Sequence, residues 1–152
     1  MTHNPSIDPA EISPAACVAN NLRKITRTII HTYEEALQES GITIGQFSTL
    51  GTLNQTGPLP IQKLAAAMEI DRTTLARNLK PMIRNGLVEI MADPTDGRAK
   101  IVHLTHNGQI TLAKAGPSWL EVQKYFLAGL GEEQVTQMIS TFGDLAALAR
   151  KR

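Results

Sequence analysis

PIQKLAAAMEIDRTTLARNLKPMIRNGLVEIMADPTDGRAKIVHLT, residues 60–105, is the stretch whose reading decides the fold. Residues 61–68 (IQKLAAAM) read as a short helix, Glu69-Ile70-Asp71 as a tight turn, and residues 72–85 (RTTLARNLKPMIRN) as a second helix stopped by Gly86. Leu64, Ile70, Leu75 and Leu79 supply apolar contacts between two helices meeting at a steep angle, and Ala65 is small where they cross. Asp71 is a natural N-cap, because its carboxylate can accept from the free N–H groups of the next turn. Gly86 stands where a helix commonly ends in a left-handed residue. A charged β-hairpin follows at once. The predicted class is mostly α with a small β-hairpin wing (α+β), a winged helix-turn-helix with N- and C-terminal dimerisation helices.

The second helix carries the functional signal. By the 3.6-residue period, Leu75, Leu79, Met82 and Ile83 fall on one face. Opposite them lie Thr73, Arg77, Lys80 and Arg84, with Thr74 and Asn78 on the flank. A cationic, hydrogen-bonding outer face is what a helix needs to read the major groove of DNA. The same pattern also describes the solvated face of an ordinary amphipathic helix, so the hairpin has to be weighed with it.

In the hairpin, Val88 and Ile90 can pair with Val102 and Leu104 to make one apolar face by alternation. Asp93-Pro94-Thr95-Asp96-Gly97-Arg98 between them is rich in turn formers. Arg98 is expected near the tip, with Lys100 behind it. An arginine on a thin hairpin suits the minor groove, where the negative potential is strongest. Asp96 can orient it through a charge-assisted hydrogen bond. The predicted DNA contacts are Lys63, Arg72, Thr73, Thr74, Arg77, Asn78, Arg84, Arg98 and Lys100, with Asp96 supporting the wing tip. Arg77 and Asn78 are expected at base edges, and Lys63 and Lys100 at phosphates.

With those residues in view, the chain resembles the MarR family of winged helix-turn-helix regulators. The resemblance rests on the D-x-R wing (Asp96, Arg98), the NGLV junction of residues 85–88, and the LTxxG of residues 104–108. GITIGQFSTLGTL (41–53) is similar to the family's helix ahead of the reader, and AKAGPSWLEVQ (113–123) to a sub-branch with proline and tryptophan in the long fifth helix. It extends from about Cys17 to the C-terminus. The resemblance implies a homodimeric DNA-binding transcription regulator, often a repressor relieved by a small molecule or an oxidant. Two departures stand out: Gly97 replaces a second basic residue common in family wings, and Pro81 interrupts the second helix. Pro81 removes an N–H and frees the carbonyl of Arg77, so a tolerated kink is expected there.

The whole chain has 152 residues and a formal net charge of +1, which argues against indiscriminate electrostatic binding of nucleic acid. Charge is local instead. Residues 60–105 hold seven Lys/Arg against five Asp/Glu, and the residues before them three against five. Binding energy must then come from a few cations aimed at phosphates and doubled by symmetry. No apolar run reaches membrane-spanning length and no signal-peptide pattern is present, so no membrane partner and a cytoplasmic location are expected.

Three regions are expected: residues 1–12 as a polar, flexible tail, residues 13–40 and 106–152 as a helical dimerisation region, and residues 41–105 as the winged DNA-binding domain. Ser13-Pro14 is a good helix start, and Val18, Leu22, Ile25, Ile29, Tyr33 and Leu37 make an apolar stripe from there to about Ser40. Thr105 is expected to cap a long helix bent near Gly116-Pro117. Past Gly131, a final amphipathic helix carries Val135, Met138, Ile139, Phe142, Leu145 and Leu148. One winged domain does not need so many apolar helical faces. Packing them between two copies would bury them, and a twofold dimer predicts a roughly palindromic site.

Cys17 is the single cysteine. It is expected at the fourth helical position after Ser13, in a helix N-terminal field that favours a thiolate, which makes it a candidate redox sensor. The competing reading is a small buried hydrophobe. His103 and His106 straddle a strand end and a helix start without further ligands, and His31 lies mid-helix, so no metal and no cofactor is expected. No Cys–His–acid cluster, phosphate-cradling loop or paired carboxylates support an enzyme. The alternative to a DNA-binding repressor is a ligand- or redox-responsive interaction module that uses the winged fold without sequence-specific DNA binding.

Overall fold

A computed structural model of the chain describes residue 8 and residues 11–97 and 99–151. In chain order its elements are α1 Val18–Leu37, α2 Ile44–Thr56, β1 Leu59–Pro60, α3 Ile61–Ala67, α4 Arg72–Arg84, β2 Val88–Ala92, β3 Lys100–Leu104, α5 His106–Leu130 and α6 Glu132–Arg150. Side-chain caps open three of the helices, each satisfying backbone donors that have no partner within the first turn. Thr43 and Gln46 form a reciprocal capping box at α2. Asp71 accepts from the Thr74 N–H at α4, and Thr105 from the Gly108 N–H at α5. Glycines in left-handed or other positive-φ conformations close the elements, among them Gly41, Gly86 and Gly131.

The two helices of the motif lie where the sequence places them. The expected hairpin register also holds, with Val88 opposite Leu104 and Ile90 opposite Val102. One strand was not legible. β1 pairs antiparallel with β3 at Leu59↔Val102 and Pro60↔Ile101, which makes a sheet of order β1-β3-β2. Two residues are too short to show alternation, and Pro60 belongs at an edge because it cannot donate to the ladder.

The continuous helix expected over residues 13–40 is broken at both ends. Pro14–Ala16 form a single 3-10 turn, Cys17 is extended (φ −70°, ψ 117°), and α1 starts only at Val18. The following asparagines reach back across this break. The Asn20 side chain donates to the Pro14 carbonyl at 3.0 Å, and Asn21 donates to the Ala15 and Cys17 carbonyls at 2.7 and 3.0 Å. These amides share the Pro14 and Cys17 carbonyls with the backbone N–H groups of Cys17 and Asn21, and so brace the turn ahead of α1. At the other end Gln38–Ser40 tighten into a second 3-10 turn before Gly41. The tail expected to be flexible falls, for residues 1–7 and 9–10, outside the described residues. Pro81 and Pro117 both lie within helices that run on past them.

One core joins these elements. Leu50 and Leu53 of α2, Leu64 and Ala65 of α3, and Leu75, Leu79 and Met82 of α4 pack on Val88 and Val102 of the sheet. Leu37 of α1 and Ala115 of α5 enter the same cluster. Phe47 and Trp119 stack at its margin, rings 5.4 Å apart, and tie α2 to α5. Tyr33 of α1 receives a hydrogen bond from Gln123 of α5, and burial pushes its phenol above the ordinary range.

Elsewhere apolar surface faces outward. α6 has no buried residue, with Ile139 62% and Leu148 64% exposed. Val18 and Tyr125 are 56% and 72% exposed. Only Tyr33 and Leu37 of the α1 stripe are buried. Among the described residues, no helix is long and apolar enough to cross a membrane.

Candidate nucleic-acid interface

α4 is held from behind and open in front. Leu75, Leu79 and Met82 are fully buried, whereas Arg72, Thr73, Arg77, Asn78, Lys80 and Arg84 are exposed. At about 100° per residue, Thr73, Arg77, Lys80 and Arg84 span an arc of roughly 60° directly opposite the buried leucines. Ile83, expected with the leucines, is 41% exposed at the edge of the apolar face.

Thr74 is committed elsewhere. It is half-buried, and its hydroxyl and backbone N–H both donate to Asp71. These bonds, the side-chain one foremost, hold the Asp71 carboxyl below its ordinary value of 3.8. A depressed carboxyl stabilises the folded state above the unfolded pKa and loses that stabilisation as pH falls through the folded value. Asp71→Asn keeps an acceptor at the cap but cannot titrate. Its stability is therefore expected to change less than that of the parent chain below about pH 4, as read by denaturant titration across pH. Parallel curves for the two proteins would show that the cap is not charge-assisted.

A second aspartate, Asp93, organises the wing turn. The Asp93 carboxylate accepts from the Thr95 hydroxyl and N–H at 2.7 and 2.8 Å and from the Asp96 N–H at 3.4 Å. Thr95 is the main reason that its carboxyl lies below the ordinary range. The Asp96 carbonyl accepts from Ala99, and the Ala99 carbonyl from Asp93, both at 2.9 Å, so the turn closes on itself. Asp93 was legible only as one turn former in a run of several. Arg98, and with it the pairing expected with Asp96, lies outside the described residues. Lys100 opens β3 and is exposed, opposite Ala92.

A groove of about 600 Å³ separates α4 from the wing. Ile61, Leu79, Ile83 and Ile90 contribute its apolar surface, and Arg72, Lys80 and Lys100 its cations. Tertiary structure therefore brings Arg72 and Lys100 into one concavity with Lys80. Lys63 is exposed on the neighbouring α3.

Cys17 sits away from this surface. It is neither the fourth residue of a helix nor a buried hydrophobe but the exposed, extended residue just before α1. The histidines are separated too. His31 lies 3.5 Å from Glu35 on an exposed face, His103 pairs across the sheet with Glu89, and His106 begins α5. Sequence reasoning also missed a contact between the two ends of the fold. Arg150 at the end of α6 lies 3.3 Å from Glu69, which occupies the motif's turn at φ 53°. Both side chains are well exposed, so the pair adds little stability.

Comparison with known proteins agrees with this geometry. The MarR family model matches residues 42–100. A Mycobacterium tuberculosis transcriptional regulator, MosR, solved in complex with DNA, is 38% identical, with a TM-score of 0.79 over 88% of this chain and 98% of that one. Among characterised sequences, the transcriptional repressor NicR of Pseudomonas putida is 26% identical over 83% of this chain and 82% of its own. The regulator BilQ of Clostridium symbiosum is 28% identical over 68% and 72%. With an open cationic helix, a paired wing and a relative of this identity spanning nearly its whole length, the chain belongs to the MarR family of winged helix-turn-helix transcription regulators.

Proposed function

We propose that the chain works in the cytoplasm as a homodimeric repressor of transcription, binding double-stranded DNA at a roughly palindromic site and released by a small molecule or an oxidant. The observation that carries the reading is α4 itself, whose cations and Asn78 are exposed while Leu75, Leu79 and Met82 on the opposite face are fully buried. Arg77 and Asn78 read base edges, with Arg72, Thr73 and Arg84 beside them. Thr74 contributes through the cap that orients the helix start. Lys63, Arg98 and Lys100 position the wing and α3 on phosphates and the minor groove, and Asp96 supports the tip. A repressing role is favoured by the likeness to NicR, and DNA binding by the likeness to a protein solved on DNA.

Residues 41–105 serve as the DNA-binding domain, and residues 13–40 and 106–152 as the dimerisation region. The exposed apolar residues of α1, α5 and α6 favour this division, because a twofold interface buries the same patch on both copies. Release follows from a change in the spacing of the two α4 helices. Exposed Cys17 is the site that an oxidant reaches.

The test is a binding titration on the DNA upstream of the chain's own coding region and on random DNA, at rising salt. A preferred sequence and a steep loss of affinity with salt are expected. Arg98→Ala should flatten the slope by about one unit per protomer. Weak binding with no preferred sequence and a shallow slope would favour the interaction module instead. Loss of binding under organic hydroperoxide that Cys17→Ser abolishes would assign the oxidant route, and an unchanged response would leave release to a small molecule.

A further inference from the structure

The last residues of α4 and the first of α5 are joined more closely than their roles as neighbours require. α4 ends in a paired motif in which Leu87 N–H donates to the Met82 carbonyl at 2.9 Å and Gly86 N–H to the Ile83 carbonyl at 3.0 Å. That motif takes up the Met82 and Ile83 carbonyls, and the carbonyls of Asn85, Gly86 and Leu87 lie beyond it. All three are taken by the start of α5. The Asn107 side-chain amide donates to Asn85 at 3.3 Å, and the Thr105 hydroxyl lies 2.6 Å from the Gly86 oxygen and 3.0 Å from that of Leu87. The Thr105 N–H donates to Leu87 as well, at 3.2 Å.

The same Thr105 oxygen accepts from the Gly108 N–H at 2.9 Å, so one hydroxyl caps α5 and latches α4. The approach is close enough to exclude a side chain. A Cβ on Gly108 would stand 2.1 Å from the Leu87 oxygen and 2.7 Å from Leu104 Cδ1. The nearest of these atoms is backbone, which cannot swing aside as a flexible side chain would. The end of α4 therefore has little freedom to move against α5, which then runs 25 residues, about 37 Å, toward the terminal helices.

We infer that Thr105, Asn107 and Gly108 form a rigid joint that aims α4, making Thr105 and Asn107 positioning residues for DNA reading. A rotation of α5 then reaches the end of α4 directly through these bonds, in addition to the core that Ala115 shares with Leu75 and Leu79. The inference rests on the reading of α4 as the DNA-reading helix, and its test is arranged so that the two can fail separately.

Thr105→Asp separates capping from latching. A carboxylate caps a helix as well as a hydroxyl does, but has no proton to donate to the Gly86 and Leu87 carbonyls. Thr105→Ser keeps both functions. Spin labels on Lys80→Cys of α4 and Lys124→Cys of α5, in a Cys17→Ser chain diluted into excess unlabelled chain, report the α4–α5 distance within one protomer. Both labelled positions are exposed.

The distance distribution is expected to broaden in Thr105→Asp and Asn107→Ala and to stay narrow in Thr105→Ser. In the unlabelled full chain, the ratio of operator to random-DNA affinity should fall about tenfold or more in the first two variants and recover in the third. An unchanged distribution in Thr105→Asp would overturn the joint whatever the DNA result. A broadened distribution with an unchanged affinity ratio would overturn the aiming role. A parent chain with no operator preference would instead defeat the DNA-reading assignment, while the distances still judge the joint.

Discussion

Leu75→Ala is expected to lower the stability of the folded chain by about 2–5 kcal/mol. Leu75 is fully buried on the inner face of α4, in the cluster that joins that helix to α2, α3 and the sheet. Truncation removes the transfer free energy of three carbons and leaves a cavity that helices anchored at both ends cannot collapse to fill. Against a total of about 5–15 kcal/mol for an ordinary domain, this is a large fraction. At this chain length it corresponds to a fall in melting temperature on the order of 5–20 °C. Leu75→Met, which nearly conserves volume, should cost less than about 1.5 kcal/mol. Calorimetry of the two variants checks the assignment. A loss of similar size in both would show that Leu75 responds to shape alone, and no loss in either would remove it from the core.

The second large effect concerns binding. Arg77 lies on the exposed arc of α4, directly opposite the buried leucines. Arg77→Ala is expected to reduce discrimination between operator and random DNA by about 1–3 kcal/mol per half-site. In a twofold dimer the loss applies at both half-sites, so the operator should be weakened on the order of 10²-fold or more. Affinity for random DNA should fall only slightly, because a single phosphate-scale charge is removed from each protomer. Paired titrations at one fixed salt concentration decide the matter. Equal losses on operator and random DNA would move Arg77 from the base edges to the backbone. Thermal stability should hardly change, since an exposed side chain without a buried partner is removed. That separates this variant from Leu75→Ala.

These two residues also show how much of the molecule was legible before the structure. Leu75 and Arg77 are two positions apart, and the 3.6-residue period alone sends one inward and the other outward. The Asp71 and Thr105 caps, the Gly86 stop and the hairpin register were readable for a similar reason. Each is set by residues within a turn or a strand pairing of one another, where local sterics and hydrogen bonding decide.

Contacts between distant residues were not readable. β1 exists only because Leu59 and Pro60 meet Val102 and Ile101, some forty positions on, and two residues carry no periodic signal of their own. The break before α1 is bridged by Asn20 and Asn21 reaching back six positions, to carbonyls that their helix propensities say nothing about. Cys17 thereby became an exposed residue ahead of the helix and not one inside it.

By itself, then, the sequence determined the element types, the inward and outward faces of α4, the wing and the family, since period, caps and turn chemistry act over a few residues. Only the tertiary structure decided that Arg72, Lys80 and Lys100 share one groove, that the Asp93 carboxylate ties down the wing turn, and that Thr105 and Asn107 bind the end of α4. Hydrogen bonds and close approaches between segments depend on ångström-scale placement, and that placement is set by the packing of the whole core around them.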